Sequence, residues 1–136
     1  MIDKNTGKPY KPTPAYFIGC FDTYDREETL GKTLNKYNPN DMSDRKYLIK
    51  TYSIGKKQNL SYKHKWLLFK SLEDALNCSD YDFQSILKND ENELFFLPWE
   101  WDIKDPRGFF EEILKIAKEE WKDDLEKASK EDPSTW

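Results

Sequence analysis

Two short runs of this sequence are apolar at nearly every position. They are AYFIGCF (15–21) and ELFFLPWEW (93–101), and polar or proline-containing segments flank both of them. A strand with one solvated face alternates apolar and polar residues, whereas a continuous apolar run of this length is typical of a strand buried on both faces. We therefore expect both runs to form central strands of a sheet, with Trp99 and Trp101 on one face beneath a helix.

The chain between these runs predicts two helices and a hairpin. DTYDREETLGKTLNKYN (22–38) starts with a capping Asp22 or Thr23 and has acidic residues in its first turn, which favours a helix. RKYLIKTYSI (45–54) and LSYKHKWLLF (60–69) flank GKKQN (55–59), a connection of hairpin length. SLEDALNCS (71–79) predicts a second helix capped by Ser71, which continues or restarts through 80–89.

A long amphipathic helix should follow the second apolar run. Asp105 is a capping residue, and Pro106 favours the first helical turn. Apolar residues then recur along one face with helical spacing. They are Phe109, Phe110, Ile113, Leu114, Ile116, Ala117, Trp121 and Leu125.

The order strand, helix, strand, strand, helix, strand predicts an α+β fold. It is the split βαβ order of ferredoxin-like domains, an antiparallel sheet with two helices on one face. The additional C-terminal helix either covers the open sheet face or packs beside the other helices. We expect one domain over residues 15–130, preceded by an extended N-terminal arm (1–14) and followed by a flexible tail (131–136).

The composition argues against several classes of protein. No apolar run approaches the roughly 18 residues that span a bilayer, and the N-terminus lacks a signal-peptide core, so we expect a cytosolic protein.

Cys20 and Cys78 lack a CxxC partner, which favours buried free thiols over a disulfide or zinc. His64 is the only histidine. We expect a binding protein without cofactors; the alternative is a metal-dependent nuclease, because EWDIK (100–104) has the carboxylate-x-lysine pattern of some such enzymes.

The net charge of −4 conceals a segregation of charge along the chain. Residues 1–70 hold 14 basic and 7 acidic groups, whereas residues 71–136 hold 8 basic and 19 acidic groups. This asymmetry predicts either two unlike faces for partners or two halves that attract one another within the fold.

Two segments of the basic half resemble the RNA-recognition motif family. YFIGCFDTYDREETLGKTLNKYN (16–38) is similar to that family's first strand and helix, and KHKWLLFKSLEDAL (63–76) is similar to its third strand and second helix. The resemblance covers roughly residues 15–77. It implies that Phe17, His64 and Trp66 stack on the bases of an RNA.

A cationic stretch surrounds these rings, with eight Lys or Arg and no acid over residues 45–70. Because lysines neutralise phosphates and rings stack on bases, the leading hypothesis is that the hairpin binds single-stranded RNA or DNA, or a ribonucleoprotein. The phosphate-binding residues would be Lys46, Lys50, Lys56, Lys57, Lys63 and Lys65. Alternatively, these lysines serve only the solubility of an exposed hairpin, and Trp66 belongs to the core.

The acidic half supports a different hypothesis, which is the binding of a basic protein such as a nuclease. Phages and bacteria make small, acidic, aromatic-rich proteins of similar composition, which act as inhibitors or immunity proteins. The binding residues would be Glu111, Glu112, Glu119, Glu120, Asp123 and Asp124, extended by Asp74, Asp80, Asp82, Asp90, Glu91 and Glu93. The alternative is a solvated helix face with ion pairs between residues four apart.

Overall fold

Helices account for nearly all of the regular structure in this chain. The computed structural model describes residues 1–3, 6–90, 92 and 94–136. The α-helices are α1 (Lys32–Leu34), α2 (Met42–Leu48), α3 (Tyr62–Leu76), α4 (Phe83–Ile86), α5 (Pro106–Glu120) and α6 (Lys122–Ser129). π-Helical stretches precede α1 (Glu27–Gly31) and continue α2 (Ile49–Ile54). Short 3-10 turns cover Pro14–Phe17, Gly19–Phe21, Gly55–Lys57 and Pro133–Thr135.

The prediction of an α+β fold with a ferredoxin-like sheet is wrong. Within the described residues, extended pairing is limited to two isolated antiparallel bridges, between Ile2 and Pro9 and between Asp90 and Phe95. The two segments that resemble the RNA-recognition motif lie in helices and turns instead. They therefore provide no sheet face on which bases could stack.

The first apolar run forms two 3-10 turns rather than a strand. Pro14 begins the first turn, where its fixed φ angle suits a helical start. Phe17, Ile18 and Phe21 are all buried. In a strand Phe17 and Ile18 would point to opposite faces, whereas a helical turn places all three residues on one side.

The predicted hairpin is two helices. α2 and its π-helical continuation bury Leu48, Ile49 and Ile54. α3 begins after Ser61, whose Oγ accepts a hydrogen bond from the backbone N–H of His64 at 3.2 Å. Its buried residues recur every three or four positions without a break at Ser71, so the predicted helix over 71–79 is the second half of α3. The chain then restarts as α4.

The second apolar run is irregular where it is described. The Trp101 backbone N–H donates to the Pro98 carbonyl at 2.9 Å, which closes a turn. The Trp101 indole is half-buried and donates through Nε1 to the Leu34 carbonyl at 3.0 Å. Trp99 is 83% exposed. The expectation that both tryptophans lie on one strand face in the core is therefore wrong.

The C-terminal helix and its start are confirmed. The Asp105 carboxylate accepts from the Gly108 N–H at 3.0 Å, and Pro106 occupies the first turn. The helix is interrupted at Trp121, where α6 follows. With no sheet to cover in the described residues, α5 and α6 pack against α3, and α5 also contacts α4 and the stretch Ile49–Ile54. No helix of the described ranges is both long and apolar enough to cross a bilayer.

One pair of stacked aromatic rings lies in the core. Phe17 and Trp121 stack with ring centroids 6.1 Å apart. The buried Ser53 hydroxyl donates to the Phe17 carbonyl at 2.6 Å, which satisfies a backbone acceptor that packing removes from water. These contacts fix the first 3-10 turn between the α2 continuation and the junction of α5 and α6.

Arg107 joins the start of α5 to the loop after α3. Its guanidinium donates to the carbonyl oxygens of Leu76, Cys78, Ser79 and Tyr81 at 3.1 to 3.4 Å. The planar guanidinium has five N–H donors, so a single side chain can hold several turns of an irregular loop.

Both terminal segments lie against the start of α3. The Tyr10 N–H donates to the Met1 carbonyl at 2.9 Å, and the turn at residues 6–8 has a positive φ at Gly7, a conformation that glycine adopts without strain. At the other end, the Trp136 ring lies edge-on to Tyr62 at 6.4 Å, and the Tyr62 hydroxyl donates to Glu131 at 2.7 Å.

Candidate ligand-binding cleft

A cleft of about 430 Å³ lies where the N-terminal turn meets the start of α3. We call it the His64 cleft; the residues that define it are Tyr10, Tyr16, Lys56, Lys57, Ser61 and His64, and Asp3 also lines it. Its volume is within the range of about 300–1,000 Å³ that is usual for small-ligand sites.

The capping of α3 fixes the His64 ring. Ser61 Oγ lies 2.6 Å from His64 Nδ1, and His64 Nε2 lies 3.2 Å from the Ile2 carbonyl oxygen. A carbonyl can only accept, so in the neutral imidazole Nε2 carries the hydrogen and Nδ1 accepts from the Ser61 hydroxyl. Both ring nitrogens are thus engaged by other parts of the chain.

Two tyrosines extend the aromatic wall of the cleft. The Tyr10 ring lies edge-on to His64 with centroids 4.7 Å apart, and edge-on to Tyr16 at 6.1 Å. Burial, with smaller contributions from Tyr16 and Asp3, raises the pKa of Tyr10 to about 12. The Tyr10 hydroxyl therefore stays protonated at neutral pH and can donate a hydrogen bond. Tyr16 is 40% exposed, which leaves its ring available to a ligand.

Lys57 brings a partly desolvated positive charge to the cleft. Its side chain is half-buried, with Nζ 6.0 Å from the centre of the Phe17 ring. Burial lowers the pKa of Lys57 below its ordinary value. In the described part of the chain, no carboxylate oxygen lies within 4 Å of its ammonium group. Lys56 beside it is exposed and adds a second cation.

Cys20 lies near these lysines but is not an activated nucleophile. Burial raises the pKa of the Cys20 thiol to about 12, although Lys57 and Lys56 act in the opposite direction. The thiol donates to the Phe17 carbonyl, with Sγ 3.7 Å from the oxygen. Both cysteines are free, as expected, but Cys20 is half-buried and Cys78 is exposed. The expectation that both thiols are buried is therefore wrong for Cys78 and only partly met by Cys20.

Of the nine residues predicted to bind nucleic acid, the structure brings Lys56, Lys57 and His64 together in the cleft. Phe17 is 0% exposed and stacks on Trp121, so it cannot stack on a base. Lys65, predicted to face phosphates, is buried at 5% exposure.

The other four predicted residues lie elsewhere. Trp66 is half-buried in a separate groove between α3 and α6. Lys46 and Lys50 are exposed near the junction of α2 and its π-helical continuation. Lys63 Nζ lies 5.7 Å from the Trp136 ring. The predicted cationic hairpin is thus divided among several surfaces.

Exposed acids of the C-terminal half follow α5 and α6. Glu111, Glu119, Glu120 and Asp123 are exposed, whereas Glu112 and Asp124 are half-buried. Glu120 pairs with Lys50 at 3.7 Å and Asp124 pairs with Lys65 at 2.7 Å, so the two halves of the chain do attract one another.

The remaining predicted acids lie outside this face. Asp82 caps α4, Asp90 accepts from the Asn92 N–H, and Asp74 and Asp80 are exposed. Glu91 and Glu93 lie outside the described residues.

The sequence interpretation missed Tyr10, Tyr16 and Ser61. A local signal existed for Ser61 alone, because a serine that precedes helically spaced apolar residues is typical of an N-cap. The approach of Tyr10 and Tyr16 to His64 is a tertiary contact between distant parts of the chain.

Comparison of the chain with known protein families, with curated proteins and with solved structures finds no match. Function is therefore inferred from the geometry of the site.

Proposed function

We propose that this protein is a non-enzymatic binding protein that holds single-stranded nucleic acid at the His64 cleft, with a phosphate at Lys57 and a base against Tyr16. The supporting observation is the Lys57 ammonium, which is half-buried and lacks a carboxylate partner in the described residues. A partly desolvated cation without a counter-charge is unfavourable, and an entering anion relieves that cost.

The surroundings of Lys57 favour a phosphate carried by an aromatic ligand. Lys56 adds a second cation, and the first turn of α3, where Ser61 and His64 line the cleft, places the positive end of the helix dipole nearby. Tyr16 offers an exposed ring, and base–aromatic stacking contributes about 1–3 kcal/mol per base. The base would thus stack on a turn rather than on the sheet first expected.

The proposal is tested by fluorescence anisotropy with fluorescein-labelled decamers of single-stranded RNA and DNA at several salt concentrations. With Lys56 and Lys57 each contacting a phosphate, log K should fall with log salt at a slope of about −1.4. Lys57→Gln should reduce the steepness of that slope by about 0.7 and weaken binding. Tyr16→Ala should weaken binding about tenfold with an unchanged slope, since it removes stacking alone.

The matched control is Lys115→Gln, which removes an equivalent charge from an exposed position on α5. It should leave affinity within about twofold. Absence of binding at low salt, or an equal effect of Lys115→Gln and Lys57→Gln, contradicts the proposal.

The proposal includes the cytosolic location expected from the sequence, because free thiols persist in that compartment.

A second candidate is the binding of a basic protein by the acidic face of α5 and α6. It is favoured by Glu111, Glu119 and Asp123, which are exposed and make no ion pair within the described residues. Tagged protein should then retain a basic protein from nuclease-treated extract, and a triple charge reversal at these positions should release it. Equal recovery by the triple variant contradicts this candidate.

A further inference from the structure

A second site lies on the other apolar run, around the exposed Trp99. A groove of about 280 Å³ borders this indole; the residues that matter are Glu27, Glu28, Asn35, Asn89, Leu97 and Trp99, and we call it the Trp99 groove. Trp99 is 83% exposed, and tryptophan is enriched among the residues that dominate affinity at binding surfaces.

The loop that carries Trp99 is anchored on both sides. Leu97 is buried, and its N–H donates to Asn89 Oδ1 at 2.9 Å. Trp101 closes the turn at Pro98 and bonds to Leu34. Trp99 therefore projects from a fixed turn, and its ring can engage a partner with little loss of backbone freedom.

Two amide groups of the groove retain free donors. Asn89 Oδ1 accepts from the Leu97 N–H, and Asn35 Oδ1 accepts from the Glu100 N–H at 3.3 Å. These bonds fix which end of each amide faces the backbone. The two NH₂ groups make no hydrogen bond to any described residue, so they are available to carbonyl oxygens of an extended peptide.

The rim of the groove carries two acids, Glu27 and Glu28, and one lysine, Lys32, so its charge is negative on balance. Glu28 is paired with Lys32 at 2.9 Å, whereas Glu27 makes no ion pair within the described residues. Glu100 is exposed next to Trp99. An Arg or Lys side chain could lie over the indole face and reach a carboxylate, and such cation–π contacts contribute about 0.5–1 kcal/mol at exposed sites. Charge complementarity thus selects a basic occupant.

We propose that the Trp99 groove docks an extended basic segment of a partner protein, with an Arg or Lys side chain over Trp99 near Glu27 and backbone carbonyls at the two asparagine amides. This surface is separate in sequence and lining from the His64 cleft and from the acidic face of α5 and α6.

The test uses fluorescein-labelled heptapeptides of alternating Leu and Arg, with Gln and Glu analogues of the Arg positions, in an anisotropy titration. The Arg peptide should bind, the Gln peptide at least tenfold more weakly, and the Glu peptide not measurably. Trp99→Ala and Glu27→Lys should each weaken the Arg peptide at least tenfold.

Two control variants distinguish binding at the groove from non-specific hydrophobic binding and from an effect of net charge. Met42→Ala removes another highly exposed apolar side chain, and Asp74→Lys makes the same charge change at an exposed position on α3, outside the acidic face of α5 and α6. Both should leave affinity within about threefold. All four substituted side chains are exposed, so folding should be little affected, and circular dichroism verifies this.

Three results overturn the proposal. The first is that no peptide binds, or that Trp99→Ala binds as well as the parent chain. The second is that Asp74→Lys and Glu27→Lys weaken binding equally, which identifies net charge as the cause. The third is a dimer in sedimentation that Trp99→Ala converts to a monomer, which identifies a second copy of the chain as the occupant.

Discussion

Lys65 Nζ lies 2.7 Å from Asp124 Oδ2, so one ion pair joins the first turn of α3 to the first turn of α6. The lysine is buried, whereas the aspartate is partly exposed. The ammonium also lies 5.9 Å from the centre of the buried Trp121 ring. A charge in this position stabilises the fold only while its partner is present.

Removal of the aspartate should therefore destabilise the protein. Asp124→Ala leaves Lys65 buried without a counter-charge, and we expect the free energy of unfolding to fall by about 1–3 kcal/mol. Asp123→Ala, at the exposed neighbouring position in the same helical turn, removes the same charge and should cost about 0.5 kcal/mol or less. Urea unfolding measures both. Equal losses would show that Asp124 acts through the helix dipole alone.

Gly55 should not tolerate a side chain. A Cβ at this position would lie 2.7 Å from the backbone carbonyl oxygen of Lys50, in the π-helical stretch, so the backbone would have to shift. We expect Gly55→Ala to destabilise the fold by about 1–3 kcal/mol, as overpacking does. At Gly19 a Cβ meets nothing within 4 Å, so Gly19→Ala should be neutral or slightly stabilising. Thermal melting of the pair checks this, and equal melting temperatures would contradict it.

The two thiols should differ in reactivity. Cys78 is exposed, whereas burial raises the pKa of the Cys20 thiol to about 12. Only the thiolate reacts, so iodoacetamide at pH 8 should modify Cys78 in the folded protein and reach Cys20 only in urea. Mass spectrometry of peptides locates the modified residue. Modification of Cys20 at a comparable rate in the folded state would contradict the raised pKa.

Stability should decline at alkaline pH. The folded-state pKa of Cys20 rises from 9.0 to about 12 and that of Tyr10 from 10.0 to about 12, so folding favours both neutral forms. Their contribution is complete below about pH 9 and is lost as pH rises towards 12, because the unfolded chain ionises first. Melting temperatures of Cys20→Ala and Tyr10→Phe should fall less steeply between pH 8 and 10.5 than that of the parent chain. Parallel curves would contradict this linkage.

The C-terminal helix was predictable because its signals are local. Asp105, Pro106 and the apolar stripe from Phe109 onwards lie within one segment, and the structure uses all of them. The predicted hairpin failed because the β-branched and aromatic content of 45–54 and 60–69 favours strands, while burial in a helical core decided the outcome. The spacing of Lys65, Leu68 and Leu72 was the contrary signal, and it was obscured when Ser71 was interpreted as a cap.

The candidate cleft was predictable only in part. Lys56, Lys57 and His64 stood out by composition, and they remain together although the sheet does not exist in the described residues. The burial of Lys57 and the wall formed by Tyr10 and Tyr16 depend on how the N-terminal turn folds back, which leaves no periodic trace in the sequence. The exposure of Trp99 was hidden for a similar reason, since an apolar run gives no sign of which member faces solvent.

The guanidinium of Arg107 has a consequence for local motion. It bonds to the carbonyl of Leu76 at the end of α3 and to three carbonyls of the loop that follows, while its own backbone lies in the first turn of α5. Opening of residues 77–82 therefore requires the hydrogen bonds of this side chain to break. Their loss also destabilises the beginning of α5. In hydrogen exchange the two segments should open as one cooperative unit. The amides of the loop should then exchange as slowly as those at the start of the buried helix, although the loop has no secondary structure of its own.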